Sequence, residues 1–357
     1  MPHRYGSDFG AAGFASLCIG QFLAHQTALS FSALIPILRD EWQLSASQAG
    51  LILGAFQLGN LGAYVAIGFL LDRVRIKPIM VWAAVLVGMG DVLFALAARD
   101  FWTGISLRLL TGICMGGLYL PALKHIAEGI PAARRGMATG IFIGVLVVGY
   151  TGALFYVGGL STQIGWRWTM AVVGAAEILA ALVFARGVPA IPRLAERGTP
   201  SRYITDVLTN RPALRVIAGY TAHNWELFGM WGWTAPFMVA LLRARGTGEA
   251  SALTWGGILA AIAVGTGGVG AAFGGRLSDR IGRARTARAL LGMSFLCSAI
   301  FGWLFNAPLA LIVAVGLIYG VVVVADSPCY SASLMELVPP RSLGGAFSLQ
   351  MLFGWTV

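Results

Sequence analysis

Charge is scarce in this 357-residue chain: only 11% of its residues are Asp, Glu, Lys or Arg. So low a share, beside 57% apolar residues and a mean hydropathy of +0.77, excludes an ordinary water-soluble globule and places the chain in lipid. Cysteine is scarce too. Cys18, Cys114, Cys297 and Cys329 all lie inside apolar runs and lack metal-type spacing, which speaks against disulfides and zinc. No cofactor or metal is expected. A Gly-x-x-x-x-Gly-Lys-Ser/Thr loop is missing, so ATP-driven pumping has no support. No nucleophile–base or metal set marks an enzyme. Negative charge is the scarcer sign, 15 residues against 25 basic ones, for a net +10. The basic residues fall in short turns and form no basic face, so they fit a membrane protein's loops and not a nucleic-acid surface. The first apolar run is too long for a cleavable leader and reads as a spanning helix.

What the chain has in abundance is long apolar runs. A spanning helix needs about 20 mostly apolar residues. Runs of that kind cover 12–38, 48–71, 78–98, 102–127, 136–160 and 168–187, then 214–242, 252–274, 287–306 and 308–335. An eleventh begins near Gly344 and the sequence stops at Val357. The expectation is an all-helical membrane protein with a first half at 1–187, a polar connection at 188–213 and a second half at 214–357.

The two halves repeat each other. GFLLDRVRIK at 68–77 and GRLSDRIGR at 275–283 both follow the second run of a half, with Asp72 and Asp279 207 residues apart. Pro131 and Gly136 are echoed by Pro339 and Gly344, and Ala24-His25-Gln26 by Ala222-His223-Asn224. An apolar chain with this repeat and these Gly-x-x-x-Asp-Arg turns resembles the major facilitator superfamily of transporters. The second turn keeps Gly275, Leu277, Asp279, Arg280, Gly282 and Arg283; the first keeps Gly68, Leu70, Asp72, Arg73 and Lys77 but has Arg75 where a glycine is usual. The resemblance implies two six-helix halves related by a pseudo-two-fold, here ten complete spans and the start of an eleventh, as in a chain shortened at its C-terminus.

Orientation follows from counting. With the N-terminus cytoplasmic, 19 Lys and Arg fall on that side, from Arg4 to Arg341, and only Arg39, Arg99, Arg167, Arg243 and Arg245 on the other. That asymmetry puts the N-terminus and the 188–213 connection in the cytoplasm; the sequence as a whole resembles bacterial uptake permeases of the family, which implies a bacterial inner membrane.

Ionisable groups at mid-membrane are costly and each needs an account. His223 and Glu226, three apart on the seventh run, share a helix side, and a histidine with a carboxylate can exchange a proton near neutral pH. Glu226 is the first candidate for a coupling proton, with His223 tuning it and Asp326 next. Hydrogen bonding between helices is the structural alternative. The resemblance implies a central cavity lined by the first, fourth, seventh and tenth spans, which makes His25, Gln26, Asn224, Trp225, Tyr119 and Lys124 candidate substrate contacts. Lys124 can instead snorkel to the interface. Arg108 opens Arg-Leu-Leu-Thr-Gly112, which resembles the family's fourth-helix arginine motif. Asp91 lies eight residues before, and Arg108 nine after, the turn near Arg99, so an ion pair between them is expected. Glu177, mid-run in the sixth span, is assigned a structural role.

In the family the Asp72 and Asp279 turns latch the halves together, so Gly68, Asp72, Arg73, Gly275, Asp279, Arg280, Gly282 and Arg283 are expected gating residues. Gly136, Gly140, Gly144, Gly149 and Gly152 mark a closely packed fifth helix. Ala153 and Leu154 stand where drug antiporters of the family carry Gly-Pro, a departure that argues against drug efflux. Pro121 and Pro328 are expected kinks. Together these features predict a monomeric secondary transporter, working by alternating access and symport with protons. Its expected cargo is a small organic anion or polar metabolite. An efflux antiporter and a transporter-like solute receptor stay open as alternatives.

Overall fold

A backbone in lipid must satisfy its own N–H and C=O groups, which favours helix throughout. In the computed structural model, which describes residues 10–71, 74–190 and 204–355, every regular element among the described residues is helical. The first half comprises α1 (Ala11–Ala24), α2 (Thr27–Trp42), α3 (Ala46–Leu71), α4 (Ile76–Ala97), α5 (Phe101–Gly129), α6 (Ala132–Ile164) and α7 (Trp166–Gly187). After a π-helical turn at Ile204–Leu208, the second half comprises α8 (Arg211–Ala244), α9 (Glu249–Gly265), α10 (Gly267–Ile281), α11 (Arg283–Phe301), α12 (Leu309–Ala325), α13 (Ser327–Leu337) and α14 (Leu343–Gly354). Seven described helical segments are long and apolar enough to cross a membrane by length and composition.

Three of the expected runs are broken. The first divides at His25–Gln26 into α1 and α2, the eighth at Thr266 into α9 and α10, the tenth at Asp326 into α12 and α13. Pro328 stands in the first turn of α13, where its missing N–H costs nothing, whereas Pro121 lies within an uninterrupted α5. Turns are short. Gly165 and Gly282, at φ +81° and +92°, each link two helices through a single residue, a backbone conformation that side-chain-bearing residues rarely adopt. Asp100 begins α5 with a capping box: its carboxylate accepts from Thr103 N–H at 2.9 Å, which holds it below the usual carboxylate range.

Within the first half, α3 packs on α5, α4 on α5 and α7, and α1 on α7; within the second, α10 and α11 pack on α12. The halves meet where α6 lies along α10 and where α14 lies along α3. The α6–α10 seam is made of small residues. A Cβ on Gly140 would run into the Ala271 carbonyl, and one on Gly144 into that of Gly268. Large apolar side chains point outward, among them Trp102, Trp168 and Trp303 at 73%, 71% and 88% exposure, as expected of a surface wetted by lipid.

Candidate functional site

Between the halves lies a cavity of about 50 Å³. Tyr119 of α5, Tyr150 of α6, Tyr220, Asn224, Phe228 and Trp231 of α8, Ser327 of α13 and Trp355 after α14 line it, with Ile143, Leu146, Val147, Leu227 and Val324. None of these residues carries a formal charge. The indole Nε1 groups of Trp231 and Trp355 are buried without a hydrogen-bond partner. Buried donors of this kind are costly unless something accepts from them, so the wall is suited to a guest rich in acceptor atoms.

One titratable pair adjoins the cavity. The break at Asp326 brings that carboxylate against α8, where Oδ1 is 2.8 Å from His223 Nδ1, both residues 1% exposed. On the far side of the ring, Nε2 is 2.7 Å from the Ser327 hydroxyl, which itself lines the cavity. A chain Asp326–His223–Ser327 thus runs from the helix break to the cavity wall. Tyr220 and Tyr330 cluster with the imidazole, with ring centroids 5.9 and 5.7 Å from it and 6.1 Å from each other.

The structure separates His223 from Glu226. Glu226 is only half-buried, and its Oε1 accepts from Ser294 of α11 at 2.6 Å. Trp225 is 65% exposed on the outer surface and takes no part in the cavity. Asn224 and Tyr119 do line it; Asn224 Nδ2 donates to the Tyr220 carbonyl and Tyr119 stacks on Phe142. His25 stands one layer back, its ring 5.8 Å from that of Tyr150, and Gln26 beside it donates to the Phe22 carbonyl. Lys124 is 2% exposed, so it does not snorkel; its Nζ is 3.9 Å from Glu128 and it is not among the lining residues. Asp91 and Arg108 are both fully buried, Oδ1 to Nη1 3.5 Å. Tyr150, Tyr220, Ser327 and Trp355 were not singled out by sequence; the adjacency of Ser327 to Asp326 was the one available signal.

At the α10–α11 turn, Asp279 accepts from the backbone N–H groups of Gly136 (3.2 Å) and Met137 (2.8 Å) near the start of α6. Arg283 pairs with Asp279 and, at 2.7 Å, with Glu336 of α13. Gly275 lies against the Gly136 carbonyl, Gly282 makes the turn, and Arg280 is exposed. Of the first-half turn, Gly68 lies near the end of α3 and Asp72 and Arg73 lie outside the described residues.

A helical bundle with an inter-half cavity, a glycine seam and an Asp–Arg turn bridging the halves defines a secondary transporter fold. Residues 17–357 match the Major Facilitator Superfamily, and the chain belongs to that family. Its architecture is similar to that of the proton:xylose symporter XylE bound to 6-bromo-6-deoxy-D-glucose (TM-score 0.73, 17% identity, 96% of this chain and 85% of the other). It is equally similar to the E. coli fucose:proton symporter FucP (TM-score 0.73, 16% identity, 96% and 88%). In sequence, the chain is 27% identical over 169 residues to the probable sulfoacetate transporter SauU of Cupriavidus necator, covering 47% of this chain and 39% of that protein. It is 27% identical over 209 residues to the arabinose-proton symporter of Bacillus subtilis, covering 56% and 43%. The chain therefore spans less than half the length of these curated relatives.

Proposed function

We propose that this transporter takes up a small, uncharged, oxygen-rich solute together with a proton, and that the proton resides on the Asp326–His223 pair. The observation that carries the reading is the contact chain Asp326–His223–Ser327, an ion-pair contact of 2.8 Å followed by a hydrogen bond of 2.7 Å, ending at the cavity. A carboxylate held against a histidine at a helix break can exist in lipid at tolerable cost, and a pairing of these two side-chain types is suited to carrying a proton. Glu226, bonded to Ser294 away from that chain, is the weaker candidate.

Of the two cargo classes expected from sequence, the uncharged lining favours a neutral polar metabolite over an organic anion. An anion there would find no cation among the lining residues, and burying an unpaired charge is costly. Sugars offer both the acceptors that the two indoles need and C–H faces for the aromatic rings. The positive-rich turns, with the Asp279 latch among them, are the cytoplasmic end of the bundle in this reading, the membrane is a bacterial inner membrane and the working unit is a monomer.

The full-length protein in proteoliposomes, offered D-xylose, L-arabinose, D-galactose and sulfoacetate, provides the test. A neutral sugar should accumulate under an inward proton gradient. Asp326→Asn should abolish accumulation yet keep counterflow of that sugar, and Glu226→Gln should keep both. Accumulation of sulfoacetate alone would overturn the cargo assignment; proton-driven accumulation by Asp326→Asn would overturn the coupling assignment.

A further inference from the structure

The break between α1 and α2 occurs in the sequence Ala24-His25-Gln26-Thr27, which contains neither proline nor glycine. Helix breaks within a membrane need their freed backbone groups satisfied by something. One carbonyl is taken locally, Phe22 O, which accepts from Gln26 Nε2 at 2.7 Å; Gln21 O keeps its helical bond from His25 N–H at 3.0 Å and also lies 3.0 Å from His25 Nδ1. Thr27 is satisfied from outside its own helix. Its N–H donates at 3.1 Å to Glu177 Oε1 of α7, a residue 150 positions away and fully buried. Its carbonyl and hydroxyl accept from Arg108 of α5 at 3.1 and 2.8 Å. Arg108 is also the partner of Asp91, so one guanidinium faces two carboxylates and can balance only one.

From this arrangement we infer that Glu177 is a positioning residue for the substrate cavity: as the acceptor for Thr27 N–H, it holds the first span in its broken form. Glu177 does not line the cavity. It acts through the break, which sets His25 against Tyr150, and Tyr150 forms part of the cavity wall. A continuous helix would return the Thr27 N–H to the Leu23 carbonyl and turn His25 and Gln26 away from their present carbonyl partners. Because the role is hydrogen-bond acceptance and Arg108 already has Asp91, glutamine should serve in place of glutamate, and an apolar residue should not. The consequence for the cavity rests on the transport reading. The assignment itself concerns the fold of the first span, so a test that reads no transport separates the two.

That test is amide hydrogen exchange, followed by mass spectrometry on the full chain in lipid nanodiscs, comparing Glu177→Gln and Glu177→Leu with the native protein. Leu should speed exchange in peptides covering 22–31 by roughly tenfold or more, as expected when a buried N–H is left without its acceptor, and leave distant α11 and α12 peptides unchanged. Gln should leave 22–31 within about twofold of native, since it keeps the acceptor oxygen. Native exchange in Glu177→Leu, or exchange in Glu177→Gln raised as much as in Leu, would overturn the assignment. Should Leu speed exchange everywhere, Glu177→Met, of similar length and without the acceptor, replaces it. The Gln arm decides the matter in any case: faster exchange confined to 22–31 in that variant rejects the role.

Discussion

Arg108 makes more contacts than a simple ion pair requires. Its guanidinium lies 3.5 Å from Asp91, bonds Thr27 twice and covers the Phe56 ring at 4.3 Å. Removing it strands a carboxylate in an apolar interior, so Arg108→Ala should destabilise the protein by about 3–5 kcal/mol. Asp91→Ala in the same chain should recover part of that loss, measured as thermal stability in detergent. Simple additivity of the two single losses would mean that the residues do not act as a pair. This pairing was legible because the tight turn near Arg99 fixes the depth of both residues. The direction of Glu226 was not. Residues three apart on a helix differ by about 60° in direction, enough for His223 to face the Asp326 break while Glu226 turns to Ser294. Spacing places two groups on one side of a helix; only the neighbours decide whether they meet.

At the level of elements, the runs gave away the helices but hid their breaks. Thr266 is flanked by Gly265 and Gly267, and its hydroxyl bonds the Ala263 and Leu317 carbonyls, so the eighth span breaks where side-chain constraint is weakest. The break at His25–Gln26 has no such local mark, since its partners are Glu177 and Arg108 on other helices. The glycines of α6 were readable as a close-packing stripe; their counterpart, Gly268, Ala271 and Gly275 of α10, appears only when the helices are brought together. A branched side chain in that stripe should pry it open. Gly140→Val would drive its Cβ into the Ala271 carbonyl, so the seam must separate. With the four native cysteines replaced, Ala271→Cys, fully buried in the native seam, should react slowly with a permeant maleimide. Adding Gly140→Val should speed that reaction by roughly tenfold, the effect of about 1.4 kcal/mol on the closed form. Equal labelling in both backgrounds would show that the stripe does not hold the halves together.

For the whole molecule, the internal repeat was the most legible feature, because two turns with matching residues 207 positions apart leave few alternatives to a duplicated bundle. The cavity lining was much less so. It is assembled from α5, α6, α8, α12, α13 and Trp355, and helices apolar on every side give no periodic signal to separate a cavity-facing residue from a lipid-facing one. Trp231 and Trp225 show the problem: similar residues on one helix, one lining the cavity, the other 65% exposed outside. The Asp279 turn, in contrast, is written in the sequence and acts on the molecule as a unit. Its carboxylate joins the second half to the Gly136 and Met137 N–H groups of the first, and Arg283 ties the same point to α13. On the transport reading proposed above, these contacts would hold only while this end of the bundle is closed, and so would favour one state of the cycle without touching the cavity. Hydrogen bonds to a charged acceptor contribute about 1.5–3 kcal/mol each, so losing even one shifts the balance of states by roughly tenfold. Asp279→Ala should therefore lower the maximal transport rate by about tenfold, while apparent affinity changes by no more than that same shift in the balance of states, because binding contacts are unchanged. Asp279→Asn, which keeps one acceptor oxygen, should fall between. Initial rates over a range of solute concentrations in proteoliposomes measure both quantities. An unchanged maximal rate with a tenfold weaker affinity would move Asp279 from the latch to the binding site.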